Sequence, residues 1–306
     1  MEVLTTFNYK CWREIHLSRL SDYKRNFLGI TECGEWNNRS YSHILPLKNK
    51  FENIIGSDYK NEIIEIINNE NIELNDHFHH LNSSQALGFN LFFPFCIDQK
   101  LEYIHTINND GYAFEKKLCP KEKTQLDFLL KANRQKWYVE IKYSEPTSKI
   151  TNKINDDYWV KKYNTYYKYD LYKYFKINVE IYDFYSYYQI FRNLLYGCKD
   201  NYLNIFVFPK SRLDWSETIK FIKEKYCINL KNQIKILYID TFVEAMLQSK
   251  DEKILRHYTL FYEKYMKNEE LPAAANGRAA RRAIFDKCRL DLTDSKFDRD
   301  EANDYD

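Results

Sequence analysis

No run in this 306-residue chain approaches the roughly 18 consecutive apolar residues that a membrane helix needs, so no membrane-spanning helix is expected. The opening residues, Met1-Glu2-Val3-Leu4-Thr5-Thr6, carry no basic segment ahead of an apolar run. That speaks against a secretory signal and for a cytoplasmic location. Seven cysteines occur, at 11, 33, 96, 119, 198, 227 and 288, but no two stand as Cys-x-x-Cys. Their odd number and scatter signal neither a zinc ribbon nor a disulfide framework, and they suit reduced, mostly buried thiols. Net charge is only +2, so any nucleic-acid surface must come from local clustering. There is no internal repeat, and no helix-turn-helix, zinc-finger or RRM signature.

What is present fits a soluble chain with a sizeable core: 44% hydrophobic and 29% charged residues. Aromatics reach 17%, mostly tyrosine, inside an Asn/Lys/Ile/Tyr bias of the kind AT-rich coding produces. Much of that excess therefore carries no functional message. Three regions are expected: a mostly helical 1–75, a core with appended helices over 76–270, and a tail over 271–306. The composition changes abruptly after Leu271-Pro272, and the tail reads as a flexible or read-through extension.

Periodicity and turn residues place the elements. Residues 1–75 read as helices with a loop around Gly34 to Ser42. A buried helix is expected over 83–93, with Asn82 or Ser83 as N-cap and Pro94 at its far end. Strands are expected over 101–106, 125–131 and 136–144. A helix over 181–196 is stopped by Gly197. A strand over 202–208, apolar on both faces, reads as central. A helix over 214–226, a strand over 234–240 and helices over 241–268 complete an α/β chain. Its mixed central sheet has about four to five strands flanked by helices.

The informative segment runs from Gln125 to Glu145. Side chains alternate along a strand, so Glu140 and Lys142 share one face and Ile141 takes the other. If Asn133-Arg134 forms a two-residue turn, Asp127 lies directly opposite Glu140, with Cβ atoms roughly 4.5–5.5 Å apart. Two like charges so placed oppose folding unless a divalent cation lies between them. Phosphodiester hydrolysis needs these groups: Asp127 and Glu140, helped by the Ile141 backbone carbonyl, to hold the ion, and Lys142 beside the attacking water or the scissile phosphate. A Glu-x-Lys pair taken alone is equally the solvated face of an ordinary strand. The apolar flanks Leu126, Phe128, Leu130, Val139 and Ile141 instead put this pair in the core.

Leu126-Asp127, twelve intervening residues, then Glu140-Ile141-Lys142-Tyr143 resembles the signature of the PD-(D/E)XK nuclease superfamily, with Leu126 where the namesake proline stands. Ser83-Ser84-Gln85-Ala86 with Asn90, Lys142-Tyr143-Ser144-Glu145, and Tyr188-Gln189 with Arg192-Asn193 are similar to one bacterial restriction-endonuclease-like family within it. The resemblance spans about 80 to 210. It implies a restriction-endonuclease-like core and cleavage dependent on Mg²⁺, with Mn²⁺ as a possible substitute. The expected substrate is DNA, cut in restriction or in defence against foreign DNA. A homodimer or a partner subunit of a defence system is compatible with this. A non-catalytic nucleic-acid-binding or assembly protein on the same fold, and a nuclease for RNA or single-stranded DNA, stay open.

Supporting residues have two readings each. Ser83 and Ser84 cap a helix or serve the site. Gln85, one turn in, can reach the metal's water shell. Gln189, Arg192 and Asn193 share one helix face, and Arg192 can grip phosphate or pair with Glu145. His77, His79 and His80 lack regular ligand spacing and read as a solvated loop. The tyrosines of 158–174 alternate with Lys161, Lys162, Lys168 and Lys173, a pattern suited to backbone contact and base stacking or to plain packing.

Overall fold

The computed structural model describes residues 7–104, 110–119, 124–132, 135–147 and 157–267. The expected tail over 271–306 and the turn residues 133–134 lie outside them. Helix α1 (Tyr9–Asn26) starts where the Asn8 side chain accepts a hydrogen bond from the Cys11 N–H at 3.1 Å. The expected loop at 34–42 is a hairpin of β1 (Gly34–Trp36) and β2 (Arg39–Tyr41). Its turn residues Asn37 and Asn38 have φ of 50° and 59°, the left-handed pair that a two-residue hairpin turn demands. A 3₁₀ turn (Leu47–Asn53) and α2 (Lys60–Asn69) lead to α3 (Ser84–Asp98).

Five strands form the main sheet: β3 (Gly111–Cys119), β4 (Thr124–Ala132), β5 (Gln135–Ile141), β6 (Leu203–Phe208) and β7 (Ile234–Tyr238). They lie in chain order, antiparallel from β3 to β5 and parallel from β5 to β7. Between β5 and β6 come α4 (Asp157–Lys162), a π-helical stretch (Tyr163–Tyr167), α5 (Lys168–Phe175), α6 (Ile181–Ser186) and α7 (Tyr188–Asp200). Helices α8 (Leu213–Lys225), α9 (Ile239–Met246) and α10 (Glu252–Tyr265) complete the fold.

Alternation along the strands builds a core on each face. Phe114, Phe128, Val139, Ile141 and Val207 pack under α3 and α10, where Phe92 stacks on Phe128 with centroids 4.4 Å apart. Phe206 and Phe208 pack with Phe191 and Leu194 of α7 and with Trp215 of α8. β6 feeds both layers and lies between β5 and β7, as its two apolar faces predict. Among the described residues no helix is long and apolar enough to cross a membrane.

Three expectations are corrected. The edge strand is 111–119; residues 101–104 contribute only a bridge from Tyr103 to Tyr112. The period-two signal of Tyr112 and Phe114 is interrupted by Lys116 and Lys117, which an edge strand carries at little cost. The helix expected over 181–196 breaks at Tyr187, and α7 runs through Gly197 to Asp200, where Asn201 (φ 59°) ends it. Gly197 is a contact point: a Cβ there would lie 2.2 Å from Asn204 Oδ1 on β6.

Pro94 does not end α3, which continues to Asp98. Its missing N–H leaves the Asn90 carbonyl without its helical donor. His257 Nε2–H of α10 donates to that carbonyl at 2.7 Å, while His257 Nδ1 meets Ser57 Oγ at 2.7 Å. Burial pushes the His257 imidazole down to about 4. Because the depressed value lies below that of the unfolded chain, its contribution to stability is present above pH 6.5 and is lost as pH falls toward 4. The fall in unfolding midpoint between pH 6.5 and 4 is therefore expected to be shallower in His257→Gln than in the parent.

Candidate active site

The site is built on the β4–β5 hairpin. The pairs Phe128–Val139, Leu129–Tyr138 and Leu130–Trp137 follow the register of a two-residue turn. One further step sets Asp127 across from Glu140. There the ladder ends, and Asp127 Oδ2 accepts the Ile141 N–H at 2.6 Å in place of a backbone carbonyl. The Lys142 N–H donates to Val207 of β6 at 2.8 Å. By the alternation of a strand, the backbone groups of Ile141, its carbonyl included, face β4 and Asp127.

Glu140 and Lys142 are 4% and 6% exposed. Lys142 Nζ lies 2.6 Å from Glu140 Oε1, and Asn193 Nδ2 of α7 donates to Glu140 Oε2. Burial raises the Asp127 carboxyl to about 8, the Glu140 charge adds to the rise, and Lys142 and the Ile141 N–H oppose it. For Lys142, burial works against the charge, but the carboxylates of Glu140, Asp127 and Glu145 outweigh it and hold the ammonium above its ordinary value. A buried acid that keeps its proton near neutral pH beside a second carboxylate is short of positive charge.

A third acid was missed in the sequence. The β3–β4 pairs Phe114–Phe128 and Lys116–Leu126 bracket Glu115 and Asp127, which face each other across the ladder. Glu115 has φ of 49°, rare for a residue with a side chain. Its carboxyl is driven well above the usual range by burial and then by Asp127, with a Gln85 hydrogen bond opposing. The strand carrying it was itself unexpected; the alternation of Tyr112 and Phe114 was the signal available. Gln85 does not line the cavity: its Oε1 accepts from the Asn75 N–H and its Nε2 donates to the Glu73 carbonyl, each at 3.0 Å. It holds Glu115. Glu115→Gln mimics the protonated acid, so it is expected to leave stability unchanged at pH 5 and to raise the unfolding midpoint at pH 8, where the wild-type charges repel. Equal midpoint shifts at both values would remove the interaction.

These groups open on a cavity of about 1090 Å³. Among the described residues no three His, Cys, Asp or Glu side chains converge as a metal cluster. A divalent ion would accordingly rest on the Asp127 and Glu140 carboxylates and the Ile141 carbonyl, with water or phosphate completing its shell. These hard oxygen donors fit Mg²⁺, which keeps several waters.

A family model described as REase-ARP, restriction endonuclease associating with ARP, matches residues 17–266. The chain belongs to this restriction-endonuclease family. Searches of the curated proteins and of the solved structures found no match. The matched region encloses the whole sheet, and the mixed five-stranded sheet with helices on both faces is a restriction-endonuclease-like core.

In this REase-ARP chain the remaining sequence candidates divide. Ser84, Gln189 and Arg192 line the cavity with Asp127, Glu140 and Lys142, while Ser83 caps α3 by accepting from the Ala86 N–H at 3.4 Å. Arg192 rides over the Tyr188 ring at 5.5 Å, its Nε has no partner, and no ion pair joins it to Glu145. Lys161, Lys162, Lys168 and Lys173 lie on α4 and α5 and do not line the cavity; Lys162 and Lys173 sit over Trp159 and Tyr174 at 5.1 and 5.2 Å. The histidines lie on a turn, as expected, but only His77 is solvated: His79 is buried, His77 and His80 meet Trp36 of the β1–β2 hairpin, and His43 meets His80.

Arg212, between β6 and α8, is another residue that sequence reasoning passed over. It is fully buried and donates to the carbonyls of Tyr143 and Glu145. Two further bonds of 2.8 Å clasp Asp214, and the guanidinium stacks on Tyr9 and Trp12 of α1 at 5.0 and 4.9 Å. It thereby anchors the chain that leaves Lys142. No local pattern marks such a residue, because its partners come from three separate segments.

Proposed function

We propose that this REase-ARP protein is a metal-dependent endonuclease that hydrolyses phosphodiester bonds in DNA, in restriction or in defence against foreign DNA. The observation that carries the reading is the convergence of Asp127 and Glu140 from neighbouring strands, with a buried, protonated Lys142 at 2.6 Å from Glu140. Such acids are matched to a cation and a phosphate, not to a solvated strand face.

Asp127, Glu140 and the Ile141 carbonyl would hold Mg²⁺, or Mn²⁺ in its place. When bound, the ion supplies charge neutralisation at the phosphate and a more acidic water. Glu140 has both oxygens engaged, by Lys142 and by Asn193, but each keeps a further lone pair. Its orientation is thus set before substrate arrives. Lys142 stays charged beside Glu140, so it acts as a donor, not as a base. It can hydrogen-bond the attacking water or a non-bridging phosphate oxygen and stabilise the negative charge that builds there. Arg192, whose side chain lines the cavity, is suited to hold an adjoining phosphate.

Purified protein is expected to nick or cut plasmid DNA with Mg²⁺ or Mn²⁺ and to stop when the metal is chelated. Salt-sensitive DNA binding with no cleavage under either metal would leave a non-catalytic binder, and cleavage confined to RNA would change the substrate. The family's description names ARP as its associate, and we extend that partnership to this chain.

A further inference from the structure

One wall of the cavity is aromatic in a way that the cleavage chemistry does not use. Trp36 leaves the β1–β2 hairpin and meets His77 with ring centroids 4.2 Å apart and His80 at 5.3 Å. His80 in turn lies 4.9 Å from His77 and 6.5 Å from His43. All four rings line the same cavity as Asp127, Glu140 and Lys142, and Lys10 and Arg13 of α1 line it with them. Trp36, His43 and His80 are only half-buried and His77 is exposed, so ring faces are open to an occupant.

Among the described residues no three His, Cys, Asp or Glu side chains converge as metal ligands, these histidines included. Two of the cluster's rings, His43 and His80, carry no positive charge at neutral pH. Burial lowers His43 to about 4, and burial followed by His79, His77 and His43 lowers His80 to about 3, so both rings are neutral at pH 7. His80 Nε2 is shielded from solvent and has no partner. Aromatic rings and two cations lining one cavity match two parts of a nucleotide: a flat base and its phosphate. A paired base inside a duplex offers no free face to such rings, whereas an unpaired one does.

We propose that the Trp36–His77–His80–His43 cluster is a stacking pocket for an unpaired DNA base next to the scissile phosphate, with Lys10 and Arg13 on its backbone. The substrate class is then single-stranded DNA, or duplex DNA with a strand opened at the cut. This rests on the nuclease reading of the adjoining carboxylates, but its test does not need cleavage.

Fluorescence anisotropy of labelled oligonucleotides, measured on the full chain in EDTA, separates the two ideas. A single strand is expected to bind about tenfold more tightly than its own duplex. Trp36→Ala is expected to weaken single-strand binding about tenfold, the size of one lost base–aromatic stack, and to leave duplex binding unchanged. Trp36→Phe should recover part of the loss, and unchanged unfolding midpoints would show both variants folded. Equal affinity for single strand and duplex, or full single-strand affinity in Trp36→Ala, overturns the pocket even if the protein cuts DNA. Preference for an RNA strand of the same sequence overturns the DNA assignment. Single-strand preference lost in Trp36→Ala supports the pocket even if no cleavage is found.

Discussion

Asp127→Asn is expected to lower metal-dependent cleavage by at least about 10²–10³-fold, the cost of losing one group that serves developing charge. The same variant should be no less stable than the parent without metal. Asn keeps an oxygen that can accept the Ile141 N–H, now met at 2.6 Å. It removes an acid that burial and Glu140 raise to about 8. A raised carboxyl favours the folded state when protonated, so its benefit fades as pH climbs from about 4 toward 8. The variant's advantage should therefore be absent at acid pH and full above pH 8. An inactive protein that outlasts the parent at alkaline pH is the signature of a functional acid. Retained cutting, or a loss of stability at pH 8, would take Asp127 out of the site. Glu140→Gln is the poorer test of the same idea. It also strands Lys142 as a buried ammonium, a cost of about 3–5 kcal/mol when one partner of a buried pair is lost.

Arg212→Ala should cost stability on a similar scale, about 3–5 kcal/mol, because it leaves the Asp214 carboxylate unpaired and the Tyr143 carbonyl without its donor. It also empties the slot between Tyr9 and Trp12. Arg212→Lys keeps the charge but cannot span Tyr143, Glu145 and Asp214 at once, so it should recover only part of the loss. Urea unfolding midpoints for the three proteins would order them Arg, Lys, Ala. A loss below about 1 kcal/mol in Arg212→Ala, the level of an exposed pair, would show that the anchor is not rigid in solution.

The sheet was readable where signals are local. The β4–β5 register follows from a two-residue loop, because side chains alternate and one slipped residue would turn Asp127 and Glu140 to the wrong face. The apolar β6 announced a strand buried on both sides. Reading failed where a local rule was overruled from a distance. Pro94 reads as a helix stop until His257, 167 residues beyond Asn90, supplies the donor missing at the Asn90 carbonyl. Gly197 reads as a helix end until Asn204 is seen to need the space. Lys116 and Lys117 concealed a strand, and with it Glu115.

By itself, the order of residues determined which acids could meet. Asp127, Glu140 and Lys142 lie on one hairpin, and the geometry of that hairpin is set by neighbours in the chain. Tertiary structure alone decided what those acids are chemically. The proton on Asp127, the charge kept on Lys142, the grip of Asn193 on Glu140 and the neutral rings beside Trp36 are set by how the fold buries these groups and by what it packs beside them, Asn193 from 53 residues away. Solvation and Coulomb energies depend on everything packed around a group, and no stretch of sequence contains that environment.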